Sequence, residues 1–155
     1  MRLNDTIAQI GKDYDVTIIQ VVEGDEHCLA NGLEAYLNRS CVCGSIYLGI
    51  YEDDDKKLIS LLHEVGHLVD KTPYYEDYLN YTYEKNAWDV AYILAPKYGL
   101  VVTDELRKWC NEQLETYYGW ELNEWTGLGM EKCAQTLRDF NGDWRKAKAH
   151  LLSQI

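Results

Sequence analysis

The sequence predicts an α+β fold, a small twisted and mostly antiparallel sheet packed on one long helix and followed by a helical C-terminal part. Three observations lead to it. The run Val16-Thr17-Ile18-Ile19-Gln20-Val21-Val22 is rich in β-branched residues and reads as a buried strand. Shorter strand candidates follow at Glu34 to Asn38 and Cys41 to Tyr51. From Lys56 to about Asp70 the period changes, with Leu58, Leu61, Leu62, Val65 and Val69 recurring at helical spacing, and helical texture persists to the end of the chain.

Taken in order, Leu3, Ile7 and Ile10 mark an opening amphipathic helix that ends near Gly11. Glu23-Gly24-Asp25-Glu26 is turn chemistry, and Gly44 and Gly49 read as bulges or points of close backbone approach. The acidic run Glu52-Asp53-Asp54-Asp55 stands where a helix N-terminus favours negative charge. Pro73 ends the helix that follows, and Tyr74, Tyr75, Tyr78, Tyr81 and Tyr83 mark a loop. A second long helix is predicted from about Tyr83 to Ala95, stopping at Pro96. A third starts near Thr103 as N-cap, with Leu106, Trp109, Cys110, Leu114 and Tyr117 on one face. After Gly119 short helices are broken by Gly127, Gly129 and Asn141-Gly142, which places a boundary there, between 1–119 and 120–155.

Composition narrows the function. At 155 residues, with 46% hydrophobic and 26% charged, the chain is globular and long enough for one ordinary domain or a small domain with an appendage. A net charge of −11 without a Lys/Arg stripe argues against nucleic acid and against anionic membranes. Five cysteines without a paired CxxC motif, no apolar signal segment in Met1 to Ile10 and no run of ~18 apolar residues together predict a cytoplasmic protein with free thiols. Cys41-Val42-Cys43 is half of a metal motif with no second half, so strand alternation accounts for it better.

The strongest motif is His63-Glu64-Val65-Gly66-His67, an HExxH inside a predicted helix. Residues four apart lie one turn above each other, so His63 and His67 can converge on one Zn²⁺ at about 2.0–2.1 Å. Glu64 follows the first ligand and is placed to act as base towards water acidified by the metal. A catalytic zinc has three protein ligands as a rule. His27 and His150 lie far away in sequence, which favours a carboxylate from among Asp70, Glu76, Asp77, Glu84 and Asp89. Glu84 is preferred because it opens the next helix, although a first-turn Glu also suits the helix dipole. Asp70, one turn past His67, is better placed to hydrogen-bond a ligand histidine.

His63-Glu64-Val65-Gly66-His67, followed after a loop by Glu84-x-x-Ala87-Trp88-x-x-Ala91-x-x-Leu94-x-Pro96, resembles the ImmA/IrrE type of metallopeptidase over roughly residues 1–100. The resemblance implies a zincin-like domain over 1–119, Zn²⁺ as cofactor and Glu84 as third ligand. It also implies that Ser45 to Ile50 holds a substrate strand by edge pairing, and that the target is a protein of bacterial or phage origin. Trp88 and the lack of a DNA-binding region depart from the pattern, so repressor cleavage is not implied. No loop tyrosine is singled out to stabilise an oxyanion.

A second resemblance covers residues 120–155. Thr126-Gly127-Leu128-Gly129-Met130-Glu131-Lys132-Cys133, then Leu137, Asn141-Gly142-Asp143 and Ala147, is similar to the UBA-like three-helix module at the N-terminus of elongation factor Ts. It implies docking on elongation factor Tu, against the plainer expectation of a helical cap. Cys133, Leu137 and Phe140 are the expected core face, and Asp143 the cap of the last helix. The leading expectation is thus a gluzincin-like zinc metallopeptidase acting on a protein or peptide. The alternative is a non-catalytic zinc-containing adaptor that works through its C-terminal module.

Overall fold

A computed structural model describes residues 2–21, 36–38, 45–70 and 79–155. The turn at Glu23-Gly24-Asp25-Glu26, His27, Cys41-Val42-Cys43, Gly44, Pro73, Tyr74, Tyr75, Glu76, Asp77 and Tyr78 lie outside them. The fold is α+β with helix predominating. The chain divides into two units, Met1–Lys71 with Asn86–Val102 and Thr72–Lys85 with Thr103–Ile155.

In the first unit, helix α1 (Leu3–Asp13) turns Ile7 and Ile10 inward. The strands β1 (Thr17–Gln20), β2 (Tyr36–Asn38) and β3 (Ser45–Leu48) form a sheet of order β1-β3-β2. β1 runs parallel to β3, from Thr17 beside Ser45 to Gln20 beside Leu48, and β2 runs antiparallel to it. Among the described strands the sheet is therefore mixed, with one parallel and one antiparallel pair, and the mostly antiparallel sheet expected is not shown. Side-chain alternation fixes which face a strand presents but not its direction. β1 is also not the buried strand that its composition suggests: only Ile18 within it is half-buried, whereas Ser45, Ile46 and Leu48 of β3 are buried. An edge strand keeps one side towards water, and β3 is the central one.

Helix α2 (Asp54–Val69) starts at Asp53, whose carboxylate accepts the Lys56 N–H at 2.8 Å, with Asp54 and Asp55 in the first turn. Leu58 through His67 are all buried, so α2 is surrounded on every side and packs against β3, β2 and α1. Helix α3 (Leu79–Leu94) begins about a turn earlier than its sequence suggests, so Tyr81 is helical and not part of a loop, while Tyr83, the expected start, lies inside the helix. Ala87 and Ala91, then Ala95 in the 3₁₀ turn Ala95–Tyr98, form a buried stripe at four-residue spacing. Such small side chains permit close approach. A Cβ on Gly66 would stand 2.5 Å from the Ala87 carbonyl oxygen and 2.8 Å from its Cα, so glycine is required where α2 meets α3. At the far end, the Tyr98 hydroxyl donates to Asp13 at 2.7 Å, and this bond holds the Asp13 carboxyl below its ordinary range.

The second unit contains α4 (Asp104–Thr126), α5 (Met130–Asp139) and α6 (Trp144–Leu152). Thr103 caps α4 by accepting the Leu106 N–H at 3.1 Å, and Asp143 caps α6 by accepting the Lys146 N–H at 3.1 Å. The boundary expected near residue 119 falls inside α4, which is one continuous helix. Gly119 does not break it: a Cβ there would sit 3.0 Å from the Met130 carbonyl oxygen, so the glycine admits α5. Gly127 ends the helix at φ 68°. Leu122, Cys133, Leu137, Trp144, Ala147 and Leu151 form a core, with Leu114, Leu128 and Phe140 packed against it. Cys110 and Cys133 are free thiols, both buried. Leu137→Ala is expected to lower stability by about 2–5 kcal/mol, read from the denaturant midpoint of the second unit's helices. No helix among the described residues is long and apolar enough to cross a membrane.

Candidate metal centre

α2 buries His63, Glu64 and His67 together, each less than a tenth exposed. Charged and polar side chains are seldom left inside a core without a partner or a role. The four-residue spacing brings the two imidazoles together, with ring centroids 4.7 Å apart, planes tilted by 44° and the Nε2 atoms 2.9 Å from each other. Burial pushes the His63 imidazole well below its ordinary value, and the neighbouring His67 adds to the shift. Neutral imidazole is the form that binds a metal.

α3 supplies the third group. Glu84 is half-buried, and one donor atom from each of His63, His67 and Glu84 lies within 4.8 Å of the others. One helical turn further on, Trp88 lies against His63, with ring centroids 4.1 Å apart. Helix periodicity puts residues 84 and 88 on one face, and the Gly66–Ala87 approach brings that face to α2. Two imidazole nitrogens and one carboxylate are a donor set suited to Zn²⁺ in a site with an open position. The residues therefore fit the metal that the motif implies.

The remaining candidates fall elsewhere. Asp89 is exposed and takes no part in the cluster. Glu76 and Asp77 lie outside the described residues, as does His27, and His150 is exposed on α6. Asp70 is the C-cap of α2, half-buried, with its N–H donating to the Gly66 carbonyl at 3.0 Å. Glu84 lies in the second turn of α3, since the helix already begins at Leu79. The edge-pairing role expected of Ser45 to Ile50 meets an obstacle, because β1 and β2 occupy the two sides of β3. Among the described strands the edges belong to β1 and β2. Two contributors escape a sequence reading: Gly66, which resembles a mere helix-weakening residue, and Trp88 as a neighbour of His63. The only advance signal for either was the i, i+4 relation of Trp88 to Glu84.

The charge state of His63 has a consequence for stability. In the folded chain its pKa is depressed, so below the unfolded value of about 6.5 the unfolded chain takes up a proton that the folded chain refuses. Metal-free protein is expected to keep this part of its stability above pH 6.5 and to lose it as pH falls below that value. Urea midpoints at pH 7.5 and 5.5, compared with those of His63→Gln, isolate the contribution.

Set against models of known protein families, against characterised proteins and against solved structures, the chain matches none.

Proposed function

We propose that the chain is a zinc-dependent metallopeptidase that hydrolyses peptide bonds in a specific protein target of bacterial or phage origin. One observation carries this reading: a buried His63–His67 pair and Glu84, with donor atoms within 4.8 Å, beside the buried Glu64. His63, His67 and Glu84 would hold the ion, which when bound would supply Lewis acidity towards a peptide carbonyl and lower the pKa of water. Glu64 serves as the base, taking a proton from the attacking water and passing it to the leaving amine. Asp70, at the end of α2 and one turn past His67, is assigned the outer hydrogen bond to a ligand histidine that steadies its ring.

The test is hydrolysis of a proteome-derived peptide library and a bacterial lysate by zinc-supplied protein, with new N-termini identified by mass spectrometry. Cleavage that stops with a chelator and returns with zinc supports the reading. No cleavage of either substrate pool overturns it.

A second reading rests on the resemblance of residues 120–155, and the core that α5 and α6 share with the C-terminal half of α4 is compatible with it and with a plain helical cap alike. Leu128, Met130, Thr136 and His150 line a surface groove of this unit. In that reading the protein is a zinc-containing adaptor for a translation factor such as elongation factor Tu. Enrichment of that factor from lysate by both the native chain and Glu64→Gln, with no hydrolysis by either, would favour it.

A further inference from the structure

We propose that Trp88 is a positioning residue of the metal centre, its indole holding the His63 imidazole with Nε2 towards His67 and Glu84. The inference rests on the reading that a metal is held by those three residues, and goes beyond it by assigning a role to a side chain that offers no ligand atom.

The His63 and Trp88 rings are 4.1 Å apart between centroids and tilted by 47°, and Trp88 is 5% exposed. A histidine ring turns freely about its last torsion, which has broad, roughly two-fold preferences. Half a turn moves Nε2 away from its partner. An aromatic ring pressed against the imidazole within a packed core removes that freedom, because the indole would have to move first. The indole is itself held: Tyr92, one turn along α3, lies beside it with centroids 6.5 Å apart and a 28° interplanar angle. Ala87, its neighbour in the chain, is pinned against Gly66 by the close backbone approach. One helix thus brings both a ligand, Glu84, and a brace for a ligand on the facing helix. A side chain that only filled space would be replaceable by any apolar group of similar bulk. A brace requires the ring.

The experiment compares native protein, Trp88→Phe and Trp88→Leu. Zinc affinity is measured by competition with a chromophoric chelator, and ligand geometry by the visible spectrum of the cobalt-substituted protein. Circular dichroism establishes folding of each metal-free variant. Trp88→Leu is expected to bind zinc about 10-fold or more weakly and to show an altered cobalt spectrum, while Trp88→Phe stays close to native in both. Should Trp88→Leu fail to fold, tryptophan emission decides. Cobalt is then expected to quench native emission, and most of the quench is expected to vanish in Trp88→Phe. Native affinity and spectrum in both variants, an equal loss in both, or a quench unchanged by Trp88→Phe would each overturn the proposal. A native protein that binds no zinc would instead overturn the metal site itself, a distinct result.

Discussion

Glu64→Gln is expected to lower peptide hydrolysis by about 10²- to 10⁴-fold while leaving zinc in place. The side chain is buried in α2 between the two histidines in sequence, and the amide keeps its size but trades one acceptor oxygen for an NH2 donor and cannot accept the proton of an attacking water. Because Glu64 is not one of the three clustered donors, the substitution separates catalysis from metal binding. Turnover of a peptide found in the library screen, measured beside zinc content, reads both quantities. Unchanged turnover with zinc retained would remove Glu64 from the chemistry.

Gly66→Ala is expected to destabilise the protein by about 1–3 kcal/mol and to weaken zinc binding with it. On helix propensity alone the change should stabilise by up to about 1 kcal/mol, since glycine is a poor residue for a helix interior. The structure opposes that gain. The new methyl would meet the backbone of Ala87 at 2.5–3.0 Å, and backbone, unlike the end of a flexible side chain, cannot swing aside. α3 has to retreat, and Glu84 and Trp88 lie on the same helix as Ala87. Thermal midpoints with and without zinc measure the two effects. A higher midpoint for Gly66→Ala would show that the approach between the helices is looser than described.

The His63–His67–Glu84 cluster was more legible in the sequence than the sheet, for a physical reason. An HExxH motif fixes its own geometry once it lies in a helix, because the 3.6-residue repeat alone brings His63 and His67 together. Their Nε2 atoms at 2.9 Å follow from local structure. Glu84 depends on the packing of two helices and was reached by resemblance and by its place near a helix start, not from periodicity. The sheet depends on long-range pairing that period-2 alternation does not encode, so the parallel β1–β3 ladder and the central position of β3 were not foreseen. Glycines misled in two ways. Gly119 suggested a boundary and Gly66 suggested nothing, yet each lies where another helix comes close. The caps at Thr103 and Asp143 were readable because capping is local chemistry. Tyr81, expected in a loop by its company of tyrosines, belongs to a helix that tolerates it.

The most direct measurement is the metal content of purified protein, native and Glu84→Ala, by elemental analysis after exhaustive dialysis. The expected result is about one zinc per native chain and clearly less in the variant, because the two histidines left behind make an incomplete set. No zinc in the native chain after zinc has been supplied, or undiminished zinc in Glu84→Ala, would contradict a centre built from His63, His67 and Glu84.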